Sequence, residues 1–153
     1  MSKTKLEPPI GFLLHRSAKA VARTFERYLF GETGGALTTW LVLLALQDGD
    51  GQLQTDLAAF AGIQGPTLVH HLNKMESDGL IVRTRTRGDR RVHRVTINPA
   101  GQRLFDELKN RAKAFDFALR EALNKSETAL LRDLMQKLVD AARRLETTAG
   151  ERK

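Results

Sequence analysis

Apolar side chains recur at helical spacing along most of the chain and at a period of two in one stretch only. Pro8-Pro9 marks a helix start. After it Ile10, Leu13, Leu14, Ala18, Val21, Phe25 and Leu29 share one face, until Gly31–Gly35 breaks the pattern. A second helix begins near Thr38 or Thr39, either of which suits its cap. It carries Trp40, Leu41, Leu43, Leu44 and Leu46 and stops at the turn signal DGDG, Asp48–Gly51. A short helix, Gln54–Phe60, is punctuated by Gly62. Gly65-Pro66 opens the next, with proline placed for the first turn. It runs to about Asp78, and Gly79 is expected as a left-handed cap.

The period then changes. Ile81–Arg87 and Arg91–Asn98 alternate like strands around the turn Arg87-Gly88-Asp89-Arg90. Asn98-Pro99 restarts a helix, asparagine as cap, with Leu104, Leu108, Ala112, Phe115, Leu119 and Leu123 as its stripe. Ser126 is the candidate cap of the last helix. There Leu131, Leu134, Leu138, Ala141 and Leu145 are spaced 3, 4, 3, 4, like a coiled-coil seam. The expected fold is mainly α with a small β-hairpin wing: a winged helix-turn-helix over 36–98, flanked by a helix in 1–35 and two helices in 99–153. The flanking stripes exceed what one small winged domain can cover. They predict a homodimer packed through 10–29, 104–123 and 131–145.

Charge sharpens this picture. The chain of 153 residues carries a formal charge of +7, and a pI near 10.1 points to a polyanionic partner, nucleic acid before an anionic membrane surface. Residues 83–94 hold +5 of it, through Arg83, Arg85, Arg87, Arg90, Arg91 and Arg94 against Asp89 alone. On a hairpin these make a basic finger that lies along a phosphate backbone, with a tip arginine able to enter the minor groove. The chain has no cysteine, which excludes disulfides, thiolate zinc sites and thiol switches. No signal peptide is visible, and Leu41–Leu46 is too short to cross a bilayer, so no membrane role and a cytoplasmic, nucleoid-associated location are expected.

In the helix after Gly65, Leu68, Leu72 and Met75 share the face expected to be buried. Pro66, Thr67, His70, Asn73 and Lys74 share the other, with groups that donate to or accept from base edges and phosphates. Alone, such a face reads first as a solvated helix face; the basic hairpin directly after it reverses that order in favour of DNA. The histidines do not make a metal site. His70 and His71 are adjacent, pointing about 100° apart, and no His-x-x-x-His occurs. There is no nucleophile–base pair or phosphate-binding glycine loop, so neither an enzyme nor a cofactor is expected.

The stretch GIQGPTLVHHLNKMESDGLIVRTRTRGDRRVHRVTINPAG resembles the MarR/SlyA family of transcription regulators. The resemblance rests on LxxMxxxGLI followed by R…GDRR…VTINPAG, and extends more weakly to ALTTWLVLLAL and LQTDLAAFAGI. It implies an obligate dimer on pseudo-palindromic double-stranded DNA, usually a repressor, often released by a small ligand. The family's D-x-R falls on Asp89 and Arg91, with Asp89 holding the tip or merely shaping the turn and Arg91, then Arg90, as the minor-groove side chain. Pro66 and His70 depart from the serine and arginine common in the family. The resemblance also suggests an aromatic or carboxylate effector between the winged core and the dimer helices, lined by His15, Arg16 and Trp40; core packing is the other role open to Trp40. The competing function is a non-specific architectural nucleic-acid binder using the same wing.

Overall fold

The computed structural model describes residues 7–31, 36–49, 51–86 and 89–150, with side chains at 86, 89–93 and 148–150 left aside. The helices are α1 (Ile10–Phe30), α2 (Leu37–Ala45), α3 (Gln54–Ala61), α4 (Gly65–Ser77), α5 (Pro99–Glu121) and α6 (Lys125–Gly150). The strands are β1 (Gln52–Leu53), β2 (Ile81–Thr86) and β3 (Asp89–Ile97), antiparallel in the order β1-β3-β2. Asp89 and Arg90, expected in the turn, therefore belong to a strand, and Thr86 pairs with Asp89 after an irregularity at Arg85/Thr86. Arg87 and Gly88 lie outside the described residues. The two-residue strand β1, pairing Gln52 with Val95 and Leu53 with Arg94, is an element the hydrophobic pattern did not announce.

The chain divides into two compact units, Met1–Ala112 and Lys113–Lys153, so the boundary at 98/99 expected from sequence falls inside the first. That unit has two apolar clusters. Val42, Leu43, Leu46, Leu57, Leu68, Leu72, Met75, Ile81 and Val95 form the core of the winged helix. Leu29, Trp40, Leu108 and Ala112 form the second, tying α1 and α2 to α5.

Long-range partners set the element ends. No side chain of its own caps α2, which starts after Ala36 rather than at Thr38 or Thr39. The Leu37 N–H instead donates to Glu26 Oε1 of α1 at 2.8 Å, placing a carboxylate at a helix N-terminus where it is favoured. The C-terminus of α4 closes as expected: Gly79 sits at φ +70, its N–H donates to Glu76 O at 3.0 Å and that of Leu80 to Met75 O at 2.9 Å, the paired bonds of a Schellman turn. Asn98 staples this turn to α5, its N–H donating to Leu80 O and its Nδ2 to Gly79 O at 2.8 Å. One turn on, Gly101 permits contact: a Cβ there would stand 2.2 Å from the Leu80 carbonyl oxygen.

In the second unit Asn124, not Ser126, caps α6. Asn124 Oδ1 accepts from the Glu127 N–H at 2.9 Å and Glu127 Oε2 from the Asn124 N–H at 2.8 Å, a reciprocal capping box. A groove of about 440 Å³ opens in this unit, with Leu119, Leu123, Leu131, Met135 and Val139 among its lining.

Candidate nucleic-acid interface

The packing of α4 decides which of its side chains meet a ligand. Leu68, Leu72 and Met75 are at most 1% exposed, so the helix is held rigidly along one side. Pro66, Thr67, His70, Asn73 and Lys74 all stand exposed on the remainder. Pro66 is in the first turn and no side chain caps the helix start, so its N–H groups remain available to an anion. Thirteen residues make a helix roughly 20 Å long, enough to cross a major groove about 12 Å wide. Lys74 pairs with Asp78 at 3.1 Å, with side chains 71% and 45% exposed. An ion pair that open holds its partners weakly and yields readily to a phosphate.

The arginines of the hairpin do not act as one group. Ile81, Arg83 and Arg85 alternate onto one face of β2, and Ile81 is buried against the core. Arg83 is drawn down onto α4. Its Nε lies 2.9 Å from Glu76 Oε2, its Nη2 2.5 Å from the same oxygen and 2.7 Å from Asn73 Oδ1. Its own backbone N–H donates to Glu76 Oε1 at 3.1 Å. The side chain is only 19% exposed. This differs from the expected phosphate contact: the Glu76 carboxylate neutralises the charge and fixes the fork in place. Arg94 is likewise turned inward, its Nη1 donating to Gly51 O at 2.6 Å. It locks the DGDG turn onto β3, where Gly51 at φ +87 packs too closely on Val95 O and Thr96 for any side chain. Arg85 is exposed. Arg87 lies outside the described residues, and so do the side chains of Asp89, Arg90 and Arg91, although β3 includes their backbone.

Glu76 is the residue that sequence reasoning missed. It sits seven positions before Arg83, across the Gly79 turn, and only the fold of β2 back along α4 brings the two together. An acid directly after Met75 of the buried stripe was the available signal.

The three residues expected at an effector site are not gathered within one chain. Trp40 is 8% exposed, stacked on Phe105 with centroids 5.2 Å apart and tilted on Phe25 at 6.4 Å. His15 and Arg16 are exposed on the early turns of α1. Arg16 lies over the Phe12 ring at 6.0 Å, roughly 13 Å by helical rise from the Phe25 position that touches Trp40. Among the described residues no three His, Cys, Asp or Glu side chains gather as metal ligands, and no helix is long and apolar enough to cross a membrane.

A buried helix-turn-helix with an exposed second helix and an adjoining hairpin is the geometry of a DNA-reading head. The sequence model of the MarR family matches residues 36–92, the span of that head. Over that span the chain is similar to the MarR family of transcriptional regulators. It is 29% identical over 127 residues to the HTH-type transcriptional regulator SarZ of Staphylococcus saprophyticus, covering 80% of this chain and 86% of SarZ. Among solved structures it resembles the transcriptional repressor CouR bound to a 23-mer DNA duplex, with 26% identity, a TM-score of 0.74 and coverage of 91% of this chain and 98% of that one. CouR from Rhodococcus jostii RHA1 bound to p-coumaroyl-CoA gives 27% identity, a TM-score of 0.70 and coverage of 89% and 95%.

Proposed function

We propose that this chain is a MarR-family, homodimeric, sequence-specific DNA-binding repressor of the cytoplasm that an anionic, partly aromatic small molecule releases from its operator. The observation that carries the reading is the exposed α4 face of Thr67, His70, Asn73 and Lys74 beside a strongly basic hairpin. The pairing of a groove-sized helix with a flanking basic strand supports reading of bases, with phosphates setting the register. Binding along the backbone alone would not need the rigid helix.

Dimerisation is supported by apolar side chains that one chain leaves open. On α1 these include Ile10 at 62%, Phe12 at 53% and Val21 at 43% exposure; on α6 they include Leu130 at 56%, Leu134 at 46% and Leu145 at 73%. Exposed apolar side chains in this number are what an obligate interface covers. A two-fold axis then sets paired α4 helices about 34–36 Å apart, for half-sites about 10 bp apart centre to centre. The domain roles follow: 1–35 and 99–153 assemble the dimer and 36–98 reads DNA. Leu134→Glu, at a position exposed in the single chain, should yield a folded monomer by light scattering that no longer holds an operator.

Ligand release draws support from CouR, a similar repressor seen with p-coumaroyl-CoA, and from NadR, which matches at 25% identity and is seen with 4-hydroxyphenylacetate. Arg16, with His15 beside it as a hydrogen-bonding group, would meet such an effector, brought near a Trp40 cluster only by dimer assembly. The test is selection of bound fragments from random DNA, followed by affinity at fixed salt. A specific regulator prefers its selected site by about 10³ or more; a ratio near one would reduce it to an architectural binder. Aromatic acids and their thioesters are then titrated against operator release and Trp40 fluorescence, and a panel that moves neither would remove ligand control from the reading.

A further inference from the structure

The side chain of Asn73 stands on the exposed face of α4, and its orientation is set from outside the helix. Arg83 Nη2 lies 2.7 Å from Asn73 Oδ1. A guanidinium carries only donors, so the atom it faces must be the amide oxygen and not the nitrogen. Arg83 cannot easily turn away. Its Nε and Nη2 both reach Glu76 Oε2, and the Glu76 carboxylate is anchored in turn by the Arg83 backbone N–H at 3.1 Å. A planar fork held at one edge by a carboxylate presents its remaining N–H groups in a fixed direction.

We infer that Arg83 is a positioning residue that locks Asn73 as a donor, so that Asn73 selects a base with a major-groove acceptor. This rests on the DNA-reading function proposed above and specifies part of it. A free asparagine side chain reads adenine with both ends of its amide, accepting from N6 and donating to N7. Here Oδ1 is turned to the wing and already bound. An amino group approaching that oxygen would also meet the positive guanidinium. The Nδ2 hydrogens remain for the groove, where guanine O6 and N7 or thymine O4 accept them; adenine N7 also accepts, but only with its N6 amino group set beside the Arg83 guanidinium. One wing arginine is thereby withdrawn from phosphate binding and spent on specificity, and the same contact fixes the angle of β2 against the recognition helix.

The experiment compares the base preferences of wild type, Asn73→Ala, Asn73→Asp and Arg83→Lys by sequencing selected DNA. Arg83→Lys keeps the ion pair with Glu76, but a point charge cannot hold both partners in one plane. Circular dichroism and melting confirm that each variant is folded. Asn73→Ala should flatten one position per half-site, where wild type favours guanine or thymine roughly five- to tenfold. Asn73→Asp, which still accepts from Arg83 but offers no donor, should move that position to cytosine or adenine. Arg83→Lys should raise adenine there by a similar factor and leave other positions unchanged. An Arg83→Lys profile identical to a selective wild type would overturn the lock while leaving the regulator reading intact, and so would an Asn73→Ala variant that lost affinity equally for all sequences. A wild type that selected no sequence would overturn both.

Discussion

Replacing Gly101 by alanine opposes two effects whose balance the structure decides. In the interior of an exposed helix the change is favourable, by roughly 0.5–1 kcal/mol, because alanine loses less backbone entropy. At Gly101 the new Cβ would stand 2.2 Å from Leu80 O, 3.0 Å from Ile97 Cγ1 and 3.1 Å from Leu80 C, where ordinary contact begins at 3.4 Å. The clashing atom is backbone, in the Schellman turn that ends α4, and its oxygen accepts the Asn98 N–H at 2.9 Å. No rotamer relieves it, so α5 must shift from the turn or the turn must open. Overpacking of this kind costs typically about 1–3 kcal/mol, and contact with fixed backbone places Gly101→Ala at the upper end, so the net change is destabilising by about 2 kcal/mol. The midpoint should fall by roughly 3–8 °C, and the denaturant midpoint should fall at unchanged slope, both at one protomer concentration because dimerisation shifts apparent stability. Operator affinity should fall as well, since Leu80 and Asn98 join the wing to α5. Stability equal to or above wild type would refute the argument, and would mean that α5 approaches the turn less closely than described.

Further outcomes follow from particular contacts. Glu26→Ala removes the cap of α2 and should cost about 1 kcal/mol in chemical denaturation, with Glu26→Asp recovering little because the shorter arm falls short of the Leu37 N–H. Asn124→Ala breaks the capping box of α6 and should cost a similar amount, seen first as faster amide exchange at residues 125–128. Arg85→Ala should lower the slope of log affinity against log salt by about one per protomer, whereas Arg94→Ala, whose guanidinium holds Gly51 O, should lower stability and leave the slope unchanged. The bond from Lys109, and then that from Gln102, holds the Asp106 carboxyl below its ordinary value of 3.8. A depressed folded value favours the folded state above the unfolded one, and that contribution disappears as pH falls through the folded value. Carboxyl NMR titration should therefore show the Asp106 midpoint rising in Lys109→Ala, and an unmoved midpoint would remove the assignment.

Periodicity alone determined much of this protein. The stripe Leu68, Leu72, Met75 can be buried in only one way on a helix, so the exposed face with Thr67, His70, Asn73 and Lys74 was legible before any coordinates. The Gly79 cap was legible for the same kind of reason, since the left-handed conformation falls to glycine. So was the hairpin, because alternation has period two and a Gly-containing turn separates the arms. What the pattern could not show was which arginines face outward. Composition puts six on the hairpin, but a charge is assigned only by its partner, and the partners of Arg83 and Arg94 are Glu76 and the Gly51 carbonyl, seven and 43 residues away. The cap of α2 was likewise supplied by Glu26, eleven residues upstream, and not by a neighbouring threonine. The closeness of Gly101 to Leu80 appears only once α5 has packed on the turn. Local rules govern bonds between neighbours in sequence, whereas these contacts depend on how completed helices and strands are brought together in space.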